Sequence, residues 1–330
     1  MKLNLEQIKS ITAGAVRITE EDGAIRLFRF SEEQTELYKT VRKDFYNKTY
    51  STAGIKLKFK TNSKTLALNV FAKPSSSRYF FDVDIFVNGE LKYTLSGNLK
   101  DGEEISNKYA NGTYDLGEGD KEVCLYLPWS VDLRICSLEL DDGATLVPYT
   151  YSRKMLVFGD SITHGYDAKG PSKAYSSLIA DFLDADAVNK GIGGEVFRPE
   201  LCKMAENFTP DVISVAYGTN DWSQTDKETF DKNSEEFYMT LSKLYPAAKI
   251  ISLAPIYRVD FQKPTKVGPF TYIADKFHEL EKKIPNMTVI ECFDFLPHTP
   301  DVFEDLKIHP NNEGFTYYAN GVIEGLKKIF

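Results

Sequence analysis

Met155-Leu156-Val157-Phe158-Gly159-Asp160-Ser161-Ile162-Thr163-His164-Gly165 decides the reading of this chain. Four apolar residues in succession, followed by Gly-Asp-Ser, predict a strand buried on both faces that gives way to a helix. A serine at that junction stands where backbone N–H groups and the helix dipole stabilise negative charge beside its hydroxyl. Ser161 reads as a nucleophile.

Working outward, apolar runs at 155–158, 212–216 and 250–253, with a further expected strand at 185–188, alternate with helical stretches near 173–183, 230–244, 272–283 and 313–328. Buried strands separated by helices indicate an α/β domain built on a parallel sheet, with its ligand site beyond the carboxyl ends of the strands. Upstream, from about residue 24 to 147, the period is two. Ile55, Leu57 and Phe59 alternate with Lys56, Lys58 and Lys60. Val83, Ile85 and Val87, and then Val123, Leu125 and Leu127, follow the same rule. Asn88-Gly89 and Asn111-Gly112 supply turn signals, and no long helix is evident. This half is expected to be an all-β sandwich or jelly roll. The domains fall at 1–150 and 151–330.

Composition excludes several classes. With 330 residues, 42% of them hydrophobic, the chain exceeds the usual size of a single core. Lys and Arg total 40 against 48 Asp and Glu, a net charge of −8 without a basic run, so nucleic acid is not an expected partner. Residues 1–20 mix charged with apolar residues, and no stretch reaches the length of a membrane span. The expectation is a cytoplasmic chain with no membrane partner. Cys124, Cys136, Cys202 and Cys292 are scattered without zinc-ligand spacing and are expected to be reduced thiols, although Cys124 and Cys136 fall on neighbouring predicted strands.

Four segments lie at strand ends in the second domain. Ser161 follows the first strand. Asn189-Lys190-Gly191-Ile192-Gly193-Gly194 follows the second, Gly218-Thr219-Asn220-Asp221 follows the third, and Lys307-Ile308-His309-Pro310-Asn311 precedes the last helix. A hydroxyl, an imidazole, a glycine that admits close backbone approach and an amide donor are the parts needed for acyl transfer.

In this order the four blocks resemble the SGNH hydrolases, or GDSL esterase superfamily, over about residues 154–330. The resemblance implies Ser161 as nucleophile, His309 as general base, and an oxyanion hole formed by the backbone N–H groups of Ser161 and Gly194 with the side-chain amide of Asn220. One block departs. The family's aspartate lies three residues before the histidine, where this chain has Leu306, and the nearest carboxylate is Asp305. Either a local bulge lets Asp305 orient the imidazole, or a backbone carbonyl does so and a Ser–His dyad operates.

A β-sandwich joined to an SGNH domain is similar to carbohydrate esterase family two and its sister groups. The implied substrate is an O-acetylated sugar or oligosaccharide, with no metal or organic cofactor and with oligomeric state open. A short-chain lipid or lysophospholipid esterase is the alternative, and a carbohydrate-binding protein with an inactive SGNH half is a third reading. Among other residues, His164 is expected to line the pocket, and His278 and His298 to be structural. Asp160 and Asp221 are expected to bond the loops of the site. Trp222, Arg78-Tyr79-Phe80 and Pro128-Trp129 are candidate substrate contacts or packing.

Overall fold

The computed structural model describes residues 1–330, which cluster into two compact units. The first comprises Met1–Tyr151 with Gly170–Ser172, and the second Ser152–Lys169 with Lys173–Phe330.

Alongside a small two-stranded sheet at Lys100–Asp101 and Glu104–Ile105, the first unit is built on two large antiparallel sheets. One orders Thr12–Ala13, Lys56–Thr61, Lys121–Tyr126, Phe80–Val87 and Glu90–Asn98; the other orders Lys108–Asp115, Thr65–Pro74, Val131–Leu140, Ala24–Phe28 and Arg17–Glu21. Leu57, Phe59, Val83, Ile85, Val123 and Leu125 from the first sheet share one core with Leu66, Leu68, Val70, Leu133 and Ile135 from the second. The alternation in sequence is therefore the alternation of two sheet faces. Asn88 at φ 51° and Gly89 at φ 80° close the hairpin between Phe80–Val87 and Glu90–Asn98, both in the left-handed region that a two-residue turn requires.

Three expectations change here. Asn111-Gly112 is not a turn: it lies inside the strand Lys108–Asp115, paired with Asn69 and Leu68. Tertiary pairing overrides local turn chemistry, and a Cβ at Gly112 would meet the Tyr114 ring, so the glycine makes room for its neighbour on the same face. Helices are also present, at Leu5–Ile11, Glu32–Val41 and Lys43–Lys48. The first two carry capping boxes, Asn4 with Gln7 and Ser31 with Gln34. Finally, Cys124 and Cys136 sit on strands of different sheets rather than side by side, while all four cysteines are free, as expected.

In the second unit, five parallel strands run in the order Ala185–Asn189, Arg153–Gly159, Val212–Ala216, Lys249–Leu253 and Met287–Ile290. Successive connections leave Arg153–Gly159 in opposite directions, which opens a crevice at its carboxyl end. Leu156, Val157, Ile213, Val215 and Ile250 are buried on this sheet, and the helices Tyr175–Phe182, Lys227–Leu244, Tyr272–Glu281 and Asn312–Leu326 are connected through it. No helix is long and apolar enough to cross a membrane.

An ion pair with no counterpart in the sequence reading lies under the loop that follows Ala185–Asn189. Lys190 Nζ meets Glu206 Oε1 at 2.9 Å, with the side chains 0% and 4% exposed. Removing one member would strand a charge in the interior. Glu206→Ala is expected to lower stability by about 3–5 kcal/mol in urea unfolding, with much of the loss recovered in a Lys190→Met/Glu206→Leu protein.

Candidate active site

Strand Arg153–Gly159 ends at a glycine because nothing larger fits. A Cβ on Gly159 would lie 2.0 Å from Thr163 Oγ1 and 2.9 Å from the Ala216 carbonyl. Asp160 then caps the short helix Ser161–His164, its side chain accepting the Ile162 N–H at 3.0 Å, and Gly165 at φ 107° ends it. Ser161 is thus the first helical residue, and its backbone N–H has no partner within the helix. Its hydroxyl meets His309: Ser161 Oγ lies 2.8 Å from His309 Nε2.

The loop carrying His309 explains the displaced aspartate. Leu306 takes φ 57° and is 64% exposed, so one residue is extruded from the turn. For a leucine this conformation costs about 1–2 kcal/mol. The return is a clamp on the loop. Asp305 Oδ1 accepts the N–H groups of Lys307, Ile308 and His309 at 3.0, 2.8 and 3.1 Å, and Oδ2 reaches His309 Nδ1 at 2.8 Å. Although burial acts to raise its pKa, these bonds hold the Asp305 carboxyl well below the usual carboxylate range. Glu304 N–H to the His309 carbonyl, at 2.9 Å, closes the loop.

The sequence reading missed a second carboxylate. Asp167 Oδ2 stands 3.5 Å from His309 Nδ1, with its side chain 4% exposed and its backbone at φ 70°. No motif marks it; only a non-glycine residue at positive φ, six positions after Ser161, distinguishes it. The Tyr166 ring lies 5.7 Å from the imidazole.

Gly194 and Asn220 are brought near one another through Glu195, the residue after the glycine. Asn220 Nδ2 donates to the Glu195 carbonyl at 3.0 Å, which ties the loop of Gly194, at φ 90°, to the start of helix Thr219–Gln224. Asn189 secures the same loop from below. Its side chain donates to the Thr163 carbonyl at 2.7 Å and accepts the Gly191 N–H at 2.8 Å. Gly193 is small because a Cβ there would meet the Tyr166 ring at 2.8 Å.

Asp160 and Asp221 bond backbone, as expected. Asp221 accepts the N–H groups of Phe197 at 3.0 Å and Gly218 at 3.1 Å. Burial pushes the Asp221 carboxyl up to about 7 and that of Asp160 up to about 6, the latter against the pull of the Ile162 N–H, His309 and Arg258. His164 departs from expectation. It is buried rather than lining a pocket, and its Nδ1 accepts the Gly193 N–H at 3.3 Å. Trp222 is likewise fully buried, donating to the Gly268 carbonyl at 2.9 Å, and Trp129 packs under Phe80. His278 sits between Glu281 and Glu291, and His298 stacks on Tyr257 at 4.3 Å.

Residues 157–316 match the family model of the GDSL-like lipases and acylhydrolases. Over these residues, which include Ser161, Gly194, Asn220 and His309, the chain is similar to that family. Solved structures extend the likeness in fold to both units. The salicylyl-acyltransferase SsfX3 from a tetracycline biosynthetic pathway superposes with a TM-score of 0.80 at 23% identity, over 96% of this chain and 94% of that one. A family two carbohydrate esterase from Cellvibrio japonicus gives 0.68 at 16%, over 100% and 97%. The acetyl xylan esterase Est2A from Butyrivibrio proteoclasticus gives 0.64 at 16%, over 99% and 98%. At these identities the likeness is one of fold. No curated protein matches the chain by sequence.

Two carboxylates on one imidazole nitrogen make a graded prediction. Asp305→Asn is expected to lower kcat for 4-nitrophenyl acetate by about 10- to 100-fold, well short of the roughly 10⁴-fold fall seen where a sole orienting carboxylate is lost. Asp167→Asn added to it should deepen the loss. A double variant no slower than Asp305→Asn alone would remove Asp167 from the arrangement.

A second prediction concerns pH. A carboxyl whose pKa is raised on folding keeps its proton in the native state after the unfolded chain has lost it, so stability falls as pH rises from about 4 through the folded value. For Asp160 at about 6 the difference is roughly 3 kcal/mol. Asp160→Asn keeps the capping oxygen and removes the ionisation. Its urea midpoint should decline less between pH 4 and pH 8 than that of the parent; an equal decline would show that Asp160 does not ionise in that range.

Proposed function

We propose that the chain is a serine acetylesterase acting on O-acetylated carbohydrates. The observation that carries the reading is the 2.8 Å approach of His309 Nε2 to Ser161 Oγ, with the opposite ring nitrogen facing carboxylate. In this reading Ser161 attacks the ester carbonyl while His309 takes its proton, and Asp305 holds the imidazole in the productive tautomer and stabilises the imidazolium. The tetrahedral oxyanion is met by the backbone N–H groups of Ser161 and Gly194 and by the Asn220 amide. One Asn220 N–H is fixed on the Glu195 carbonyl, so the amide plane is set and the second N–H is pre-aimed. His309 then protonates the departing alcohol, and in the second half draws a proton from the water that attacks the acyl-enzyme, returning Ser161 as the acid leaves.

The carbohydrate part of the reading is supported by likeness in fold to a family two carbohydrate esterase and an acetyl xylan esterase, both aligned across nearly the whole chain. It is tested by acetate release from acetylated mannan, acetylated xylan and simple sugar acetates. The Ser161→Ala protein is expected to fall at least about 10⁴-fold below the parent. 4-Nitrophenyl octanoate turned over faster than the acetate ester would overturn the acetyl reading in favour of a lipid esterase; a Ser161→Ala protein as active as the parent would overturn the mechanism.

A further inference from the structure

A cavity of about 700 Å³ is lined by Trp222, two residues after Asn220, and by Lys307, two residues before His309, and its wall carries Arg258, Lys263, Lys266 and Lys307 against a single carboxylate, Asp260. Asp260 is already engaged: Arg258 Nε lies 2.6 Å and Lys307 Nζ 3.2 Å from its oxygens. Burial acts to raise the Asp260 pKa, but these two cations lower it, so it is a committed anion. Lys263 and Lys266 add two further charges with no acid on the cavity wall left for them. Asp226, just outside, feels Lys266, but its carboxylate accepts the Thr229 N–H at 2.8 Å and caps the helix Lys227–Leu244. In a chain of net charge −8, this is a local excess of positive charge in a concave site.

The cavity wall is bonded to the catalytic loops. Arg258, 5% exposed, donates from Nη1 to the Thr219 carbonyl at 2.8 Å, one residue before Asn220. Its charge also reaches Asp160, the residue before Ser161. Val259 N–H donates to the Lys307 carbonyl at 3.1 Å, two residues before His309. The lysines do not hang from a loose loop. Lys263 N–H bonds the Asp260 carbonyl at 2.9 Å, and the Gly268 carbonyl is held by both Trp222 Nε1 and Thr265 Oγ1. Trp222 in turn lies under the Arg258 guanidinium, 4.8 Å from ring centre to carbon.

Resting on the esterase reading above, we propose that the alcohol part of the substrate carries a carboxylate, as an acetylated uronic acid does, and that this cavity holds it. An acetyl group is too short to extend past the nucleophile, so recognition at a distance falls on the alcohol. His309, the group that protonates that alcohol as it leaves, shares its loop with Lys307. A carboxylate entering the cavity would meet Lys263 and Lys266 while Asp260 keeps Arg258 and Lys307 in place, which would select for the charged sugar and orient its ester toward Ser161.

The test compares acetylated D-glucuronate with acetylated D-glucose. The parent is expected to show about a tenfold higher kcat/KM on the uronate, a preference that narrows as salt is raised. In a Lys263→Ala/Lys266→Ala protein the preference should vanish, with the glucose ester and 4-nitrophenyl acetate turned over as before. Equal rates on the two sugars in the parent, or equal loss on both in the variant, would overturn the proposal. A preference for 4-nitrophenyl hemisuccinate over 4-nitrophenyl acetate in place of the uronate preference would also overturn it, since the anion would then lie on the acyl side. Titration of free glucuronate and glucose into the Ser161→Ala protein, followed by NMR, separates this proposal from the esterase reading. Lysine-dependent glucuronate binding upholds the cavity even if sugar acetates are not hydrolysed, whereas hydrolysis with no charge preference leaves the esterase standing without it.

Discussion

The second unit depends on carboxylates that accept the backbone N–H groups of the loops carrying its site. Asp160 takes the Ile162 N–H, Asp221 those of Phe197 and Gly218, and Asp305 those of Lys307, Ile308 and His309. A buried N–H without a partner costs about 1–3 kcal/mol, so Asp160 and Asp221 remove a penalty that would otherwise open their loops, while Asp305 fixes the shape of a loop at the surface. The consequence for chemistry is rigidity. Ser161, Asn220 and His309 each stand within one residue to a few residues of such an anchor, and their mutual distances are inherited from it.

This arrangement carries a cost in charge. Asp160 and Asp221 are buried deeply enough that their pKa values rise to about 6 and about 7, while Asp305, bonded by three N–H groups and an imidazole, goes the opposite way. Burial dominates the first two and hydrogen bonding dominates the third. The outcome separates roles among chemically identical side chains. Asp305 is the one held firmly as an anion, and it is the one that meets His309 Nδ1.

Strain is concentrated in the same place. Leu306 and Asp167 are both non-glycine residues at positive φ, and both lie beside the contacts to His309. Leu306 gives up favourable backbone geometry and exposes its side chain, and in exchange the carboxylate four residues before the histidine reaches the ring. The register change in sequence and the left-handed residue in structure are one event seen at two levels.

The sequence determined the period-two strands of the first unit, the Asn88-Gly89 hairpin, the apolar strands of the parallel sheet and the order of the four blocks, because each depends on residue type within a few positions. It was misleading at Asn111-Gly112, where eight residues of pairing with Thr65–Pro74 outweigh a local turn preference, and it left the short strand Met287–Ile290 unrecognised. Only the tertiary structure decided that Asp305 reaches His309 across four residues, that Asp167 faces the same nitrogen from 142 positions earlier in the chain, and that His164 and Trp222 are buried. Those outcomes turn on one residue's left-handed backbone and on side chains meeting from distant loops, and neither is encoded in spacing along the chain.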